Sequence, residues 1–294
     1  MSAVPSRTGE QAPFEDGAPL RVERNSNFFL AFLFLPRAKR EALSAAYSYC
    51  RLIDDIVDSG MMTKDEARRD LSFWKEEVAR LYAGSPTHPV AIRLLPHVRT
   101  CNLPREGFLE MIRGCAMDLE GTRYQSPEDL ESYMRGVASS VGLLTVEICG
   151  YRYTPAERMH EFATLFGYAF QLTNIIRDVG ADLELGRVYI PANDMKEAGY
   201  SEESLLRREH NAAFDRLMQA LYRRAQTYYR RARSLVDFRD RPALLPAEVM
   251  AHIYESLLEE IRKDGFRVLF HRHSLPPWRK AVLAGRAWLY CHGL

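Results

Sequence analysis

The chain has 294 residues, of which 47% are apolar and 27% charged, with a formal net charge of +1. Seventeen Gly, 15 Pro and 5 Cys exclude collagen-like, low-complexity and disulfide-stapled classes. The longest apolar run, Phe28 to Leu35, is far short of the roughly 20 residues that cross a bilayer as a helix.

The five cysteines (Cys50, Cys101, Cys115, Cys149, Cys291) never fall in a C-x-x-C spacing, which argues against a thiolate zinc site and predicts a reducing, cytoplasmic setting. Residues 1–21, with Pro5, Pro13, Pro19, Gly9 and Gly17 and no apolar h-region, read as a flexible tail. The near-zero charge total hides an asymmetry. Residues 1–206 hold 23 Lys/Arg against 30 Asp/Glu, a balance of −7, and residues 207–294 hold 17 against 9, a balance of +8.

Helical periodicity runs through almost every segment, and alternation of Val, Ile and Thr with period 2 is absent. Helix starts are marked by Thr63-x-x-Glu66, Ser126-x-x-Asp129 and Thr154-x-x-Glu157, with Pro127 and Pro155 at the first helical position. Breaks fall at Gly84-Ser85-Pro86, near Pro104, at Gly121 to Gln125, at Gly150 to Thr154, around Gly186 to Pro191 and at Arg241-Pro242. The pattern predicts eight to ten helices of 12–30 residues in one all-α domain over 22–294, without tandem repeats.

Two polar stripes carry the chemistry. Tyr47, Arg51, Asp54 and Asp58 are spaced by 4, 3 and 4 residues and share one helix face, whereas Asp55 points about 100° away. Gln171, Asn174, Asp178 and Asp182 likewise share a face, on a segment otherwise made of Phe162, Leu165, Phe166, Ala169, Phe170, Leu172, Ile175, Ile176 and Val179. A helix that apolar is buried, so its polar stripe is not simply its solvated side. Two carboxylates one turn apart repel by a few tenths of a kcal/mol in water and cost several kcal/mol when buried, unless a cation neutralises them. Mg²⁺, or Mn²⁺ in its place, suits such a site, because it takes carboxylate oxygens together with substrate phosphates. No Gly-rich phosphate loop or dinucleotide fingerprint is present, so phosphate recognition falls to Arg51, Arg177 and Arg187.

Tyr47-x-x-Cys50-Arg51-x-x-Asp54-Asp55-x-x-Asp58, Gln171-x-x-Asn174-Ile175-Ile176-Arg177-Asp178-Val179-Gly180-x-Asp182 and Arg187-Val188-Tyr189-Ile190-Pro191 together resemble the motifs of the squalene/phytoene synthase family. The similarity runs from about Phe28 to Tyr254 and includes Tyr133 to Gly142. It implies an all-α isoprenoid-synthase fold around a central cavity and head-to-head condensation of two prenyl diphosphates. Farnesyl diphosphate, giving presqualene diphosphate or squalene, is favoured, with geranylgeranyl diphosphate to phytoene as the alternative. Whether NADPH acts on the intermediate is left open. The resemblance implies metal ligands at Asp54, Asp58, Asn174, Asp178 and Asp182. It implies that Arg51, Arg187 and Tyr189 grip the departing diphosphate, that Tyr47 hydrogen-bonds at the reacting end, that Gln171 and Asn174 complete the polar wall and that Tyr133 lines the cavity, with further substrate contacts from Asn27, Arg177 and Tyr254. One departure is Asn25-Ser26-Asn27-Phe28, where the family commonly carries hydroxyl side chains; Asn27 can still donate to a phosphate.

Asp54-Asp55-x-x-Asp58 is also similar to the first motif of head-to-tail prenyl diphosphate synthases, but Asp178-Val179-Gly180-Ala181-Asp182 lacks their second doubled Asp. A non-catalytic relative is disfavoured by the presence of all four carboxylates. His271-x-His273 is spaced i, i+2, so on a helix the two rings do not face one another, and the pair is read as solvated surface; Tyr222, Tyr228 and Tyr229 are read as core and basic faces of a 216–239 helix, with no nucleic-acid partner. Residues 275–294, with Trp278, Arg279, Lys280, Arg286 and Trp288, form a basic amphipathic segment that either packs on the core or rests peripherally on the inner face of a membrane.

Overall fold

The computed structural model describes residues 35–58, 60 and 62–294. The expected tail and Asn27 lie outside these residues. Every regular element among them is helical. The chain runs through α1 (Arg37–Asp58), α2 (Lys64–Ala83), α3 (Pro89–Thr100), α4 (Arg105–Glu120) and α5 (Pro127–Met134). After a π-helical turn at Arg135–Ser139 come α6 (Ser140–Cys149), α7 (Ala156–Glu184), α8 (Ala192–Ala198) and α9 (Glu202–Leu206). It closes with α10 (Ala212–Leu235), α11 (Leu245–Lys263) and α12 (Pro277–His292). Twelve α-helices among the described residues exceed the eight to ten expected. The surplus is short: α5, α8 and α9 have 8, 7 and 5 residues, too few turns for a period to register.

Two of the three expected helix starts are capping boxes, at Thr63/Glu66 and Ser126/Asp129. The third is not. The Thr154 hydroxyl accepts the Asp237 N–H at 2.9 Å and cannot cap, so Pro155 takes the N-cap position and α7 begins at Ala156. Beside it, buried Asp240 accepts the N–H groups of Arg152, Tyr153 and Thr154 at 2.8, 2.9 and 2.6 Å, fixing the loop that launches α7.

The 29-residue α7 is the central post. It packs against α10, α6, α11, α5 and the π-helical turn, and every apolar residue named for it in the sequence is buried except Phe170, which is half-buried. Buried Tyr228 and Tyr229 face α7 from α10, whose bounds shift to 212–235 because Asn211 caps it at Ala213 and Phe214. Close approach depends on glycine at several crossings, two of which shape the site. A Cβ on Gly114 would stand 2.8 Å from the Gly136 backbone, where α4 crosses the π-helical turn. A Cβ on Gly180 would collide with the carbonyl groups of Val268 and Leu269, and the Gly180 N–H donates to Val268 O at 3.2 Å. This second contact draws the 266–272 segment onto α7.

That segment corrects the expectation for the histidines. Residues 271–276 have no helix, the two rings lie 4.7 Å apart, and His273 is largely buried with Nε2 3.1 Å from Asp264 Oδ2. Only His271 is exposed surface.

Gly180→Ala is expected to cost about 1–3 kcal/mol by overpacking, read as a fall of several degrees in the thermal midpoint. Asp240→Asn should cost about 1–3 kcal/mol at pH 7 by turning an amide donor toward three N–H groups. Burial opposes the Asp240 charge, but those N–H groups hold its carboxyl below the usual range. Its contribution is therefore complete above the unfolded value near about 4 and is lost as pH falls through the folded value. Denaturation at pH 7 and at pH 3 should show the gap between wild type and variant closing in acid.

Candidate active site

The helices enclose a cavity of about 520 Å³. α1 delivers Tyr47, Arg51, Asp54 and Asp58 to it, and α7 delivers Gln171, Asn174, Arg177, Asp178 and Asp182. Tyr133 arrives from α5, Tyr254 from α11, and Arg187 and Tyr189 from the loop after α7. All described candidate residues therefore line one space, as helical spacing on two facing helices requires. Asp55 does not line it and pairs with Arg51 at 3.1 Å. Val137, Ala138, Val141, Phe162, Phe166 and Met250 make the apolar wall.

The carboxylates lean on arginines. Arg187 meets Asp58 at 2.8 Å, and Arg51 lies 3.8 Å from Asp54. Asp178 accepts from Arg177 Nε and Arg272 Nε, each at 2.8 Å. Burial works to raise the Asp178 carboxyl, and these two guanidinium groups outweigh it and hold it low. Asp54, with Arg51 only at 3.8 Å, and Asp182 have weaker cover. Burial and then the charge of Asp58 push Asp54 up to about 7, and burial and then Asp178 push Asp182 up to about 7. Two acids so perturbed, each one turn from another, mark the place where added positive charge is most stabilising.

Among the described residues no three His, Cys, Asp or Glu side chains stand close enough to make a ready metal cage. The donor set still fits a hard divalent ion that brings water and phosphate oxygens with it. Buried Asn174 Oδ1 has no hydrogen-bond partner, while its Nδ2 donates to Gln171 Oε1 at 3.3 Å. An oxygen left bare beside the Asp178/Asp182 stripe is suited to a cation ligand.

Two wall residues escape the sequence patterns. Asp118, on α4, accepts the hydroxyls of Tyr133 and Tyr189, each at 2.8 Å. Its only sequence signal is a solitary acid between Met117 and Leu119. Arg272 reaches Asp178 from the irregular segment before α12, where no periodicity points to it.

Comparison with known proteins agrees with this geometry. The model of the squalene/phytoene synthase family matches residues 22–280. A 15-cis-phytoene synthase from Synechocystis is 32% identical, covering 98% of this chain and 88% of its own. A presqualene diphosphate synthase from Zymomonas mobilis is also 32% identical, over 91% and 90%. Among solved structures, a dehydrosqualene synthase bound to a ligand superposes with a TM-score of 0.80 at 27% identity, covering 93% of this chain and 94% of that one. A squalene synthase from Alicyclobacillus acidocaldarius gives 0.74 at 31% identity, over 82% and 89%. The all-α chain with its two facing aspartate stripes belongs to the squalene/phytoene synthase family.

Proposed function

We propose that the chain condenses two molecules of farnesyl diphosphate head to head into presqualene diphosphate. The observation that carries this reading is a single cavity with aspartates and arginines at one end and aliphatic and aromatic side chains along the rest. Such a space takes a diphosphate head and a hydrocarbon tail together. The family condenses prenyl diphosphates head to head, and its members here divide between phytoene and presqualene diphosphate synthases at equal identity. Both solved relatives named above make squalene-type products by their names, which favours farnesyl tails; geranylgeranyl diphosphate is the alternative substrate.

In this reading Asp54, Asp58, Asn174, Asp178 and Asp182 hold Mg²⁺, which supplies Lewis-acid withdrawal of charge from the leaving diphosphate. Arg51, Arg177, Arg187 and Arg272 then exchange their aspartate partners for phosphate oxygens, so binding trades ion pairs instead of stripping charges bare. Tyr47 and Gln171 hydrogen-bond at the head of the substrate, and the apolar wall keeps water from the allylic cation.

Incubation with Mg²⁺ and farnesyl diphosphate should release pyrophosphate and yield a C30 product by mass spectrometry. Geranylgeranyl diphosphate should be the poorer substrate, and parallel reactions with NADPH show whether squalene follows. No product from either diphosphate, or product only with added isopentenyl diphosphate, refutes the reading. Asp54→Asn and Asp182→Asn should each lower turnover by about 100-fold or more.

The C-terminal helix favours contact with an anionic lipid surface. α12 docks on α11 through Leu283, Ala284, Ala287 and Cys291, yet its outward face is apolar, with Trp278, Val282 and Leu289 exposed by 69%, 54% and 44%. The basic side chains flank that face rather than fill it: Arg279 is tied to Glu260 at 2.8 Å, and burial lowers the Lys280 ammonium. Residues 265–294 carry five Lys/Arg and no Asp/Glu, and Arg272 of the same stretch lines the cavity. Apolar anchors within a basic segment next to the cavity suit anionic bilayers. Vesicles containing phosphatidylglycerol should sediment the protein and phosphatidylcholine vesicles should not, and Trp278→Ser/Val282→Ser/Leu289→Ser should abolish the effect. Sedimentation that ignores both changes, or a dimer broken by the same substitutions, assigns the face elsewhere.

A further inference from the structure

Asp118, Tyr133 and Tyr189 come from α4, α5 and the loop after α7, and they meet in the cavity wall next to the aspartate stripes. Each carboxylate oxygen of Asp118 takes one phenol: Oδ2 accepts from Tyr133 and Oδ1 from Tyr189, both at 2.8 Å. The two rings stack with centroids 5.2 Å apart at 24°, and Tyr124 stacks on Tyr189 at 6.2 Å and 20°. Tyr133 and Tyr189 are buried, yet both line the cavity.

We propose that Asp118 is a positioning residue that locks Tyr133 and Tyr189 into one stacked orientation, presenting their ring faces to the cationic intermediate and shutting water out of that side of the cavity. This rests on the proposed head-to-head condensation. The ring faces carry the negative part of the aromatic quadrupole, which suits a developing carbocation. Their benefit depends on orientation: the bond to each hydroxyl fixes where the ring axis points, and the stacking of the rings holds their planes. Here one buried carboxylate supplies that partner to both rings. Asp118 is not in either i, i+4 aspartate pair, and each of its oxygens is already bonded to a phenol, which separates its role from that of the metal-stripe acids. If the rings swing, water reaches the allylic cation and adds to it, giving the prenyl alcohol and a proton in place of the new carbon–carbon bond.

Asp118→Asn keeps the shape but offers one acceptor and one donor, so one phenol must break or reverse its bond. With farnesyl diphosphate, kcat should fall about 10-fold or more with KM changed less than about 3-fold, and the share of farnesol among products should rise. In a Tyr133→Phe/Tyr189→Phe background the same substitution should change kcat by less than about 2-fold, because there are no hydroxyls left to hold. A full loss in that background, or wild-type kcat and product ratio in Asp118→Asn, overturns the proposal.

A readout independent of turnover is 3-fluorotyrosine at position 189, whose ¹⁹F line should shift or broaden in Asp118→Asn; an unchanged line also overturns the proposal. Should Asp118→Asn fail to fold, Tyr133→Phe is read against the same label. Losing one phenol leaves Asp118 free to turn, so a line at Tyr189 that does not move counts against the shared anchor. Wild-type protein without condensation activity but with a fluorine line that follows Asp118 would sink the functional reading and leave the anchor standing.

Discussion

Five aspartates and four arginines line the same cavity, and the need to neutralise them is the constraint on which the rest of the structure hangs. Paired aspartates one turn apart on a buried helix are tolerable only where compensating charge is close. Arg187 supplies it to Asp58, and Arg177 and Arg272 supply it to Asp178. Asp54 and Asp182 are left under-compensated, and their carboxyls rise to about 7 in consequence. The fold thus stores its electrostatic deficit at two facing positions. The proposed divalent ion with its phosphate oxygens would answer that deficit and free the arginines for the phosphate.

Keeping those charges in register demands rigid supports. α7 is apolar nearly all round, so it cannot rotate to relieve its aspartates without exposing core. Its launch is pinned by the Asp240 carboxylate, and its far end is gripped by the 266–272 segment through Gly180. That glycine sits between Asp178 and Asp182, so a feature that looks like part of a ligand motif is also a packing requirement. The same close approach brings Arg272 onto Asp178, which couples backbone packing to site electrostatics.

The stripes on α1 and α7 were legible because a helix converts spacing into direction: residues 47, 51, 54 and 58 must share a face wherever the helix goes. The all-α class followed from the same periodicity, and the shared family motifs raised it to a particular fold. Asp118 and Arg272 were illegible because each acquires meaning only from partners far away in sequence, 71 residues for Asp118–Tyr189 and 94 for Arg272–Asp178. Thr154 failed for a related reason. Its hydroxyl has the right local offset for a cap, but a tertiary partner, the Asp237 N–H, claims it first. The histidine pair was misjudged because an assumed helix set the two rings apart, and the segment is irregular.

The charge asymmetry along the chain takes its meaning from these distant pairings. Three of the four cavity arginines and all five cavity aspartates lie in the acidic first two-thirds, yet the guanidinium that completes Asp178 is drawn from the basic last third. The two portions therefore do not simply cancel as bulk charge. The C-terminal stretch, which has no acid after Asp264, extends Arg272 into the cavity and carries Arg279, Lys280 and Arg286 on the helix whose outward face is apolar. On the proposed reading one segment would meet two anions of different kinds, the carboxylate or phosphate inside and the lipid headgroup outside. Because Arg272 and Trp278 are only six residues apart, a surface that engages the helix face acts close to the residue that completes the charge balance of the site.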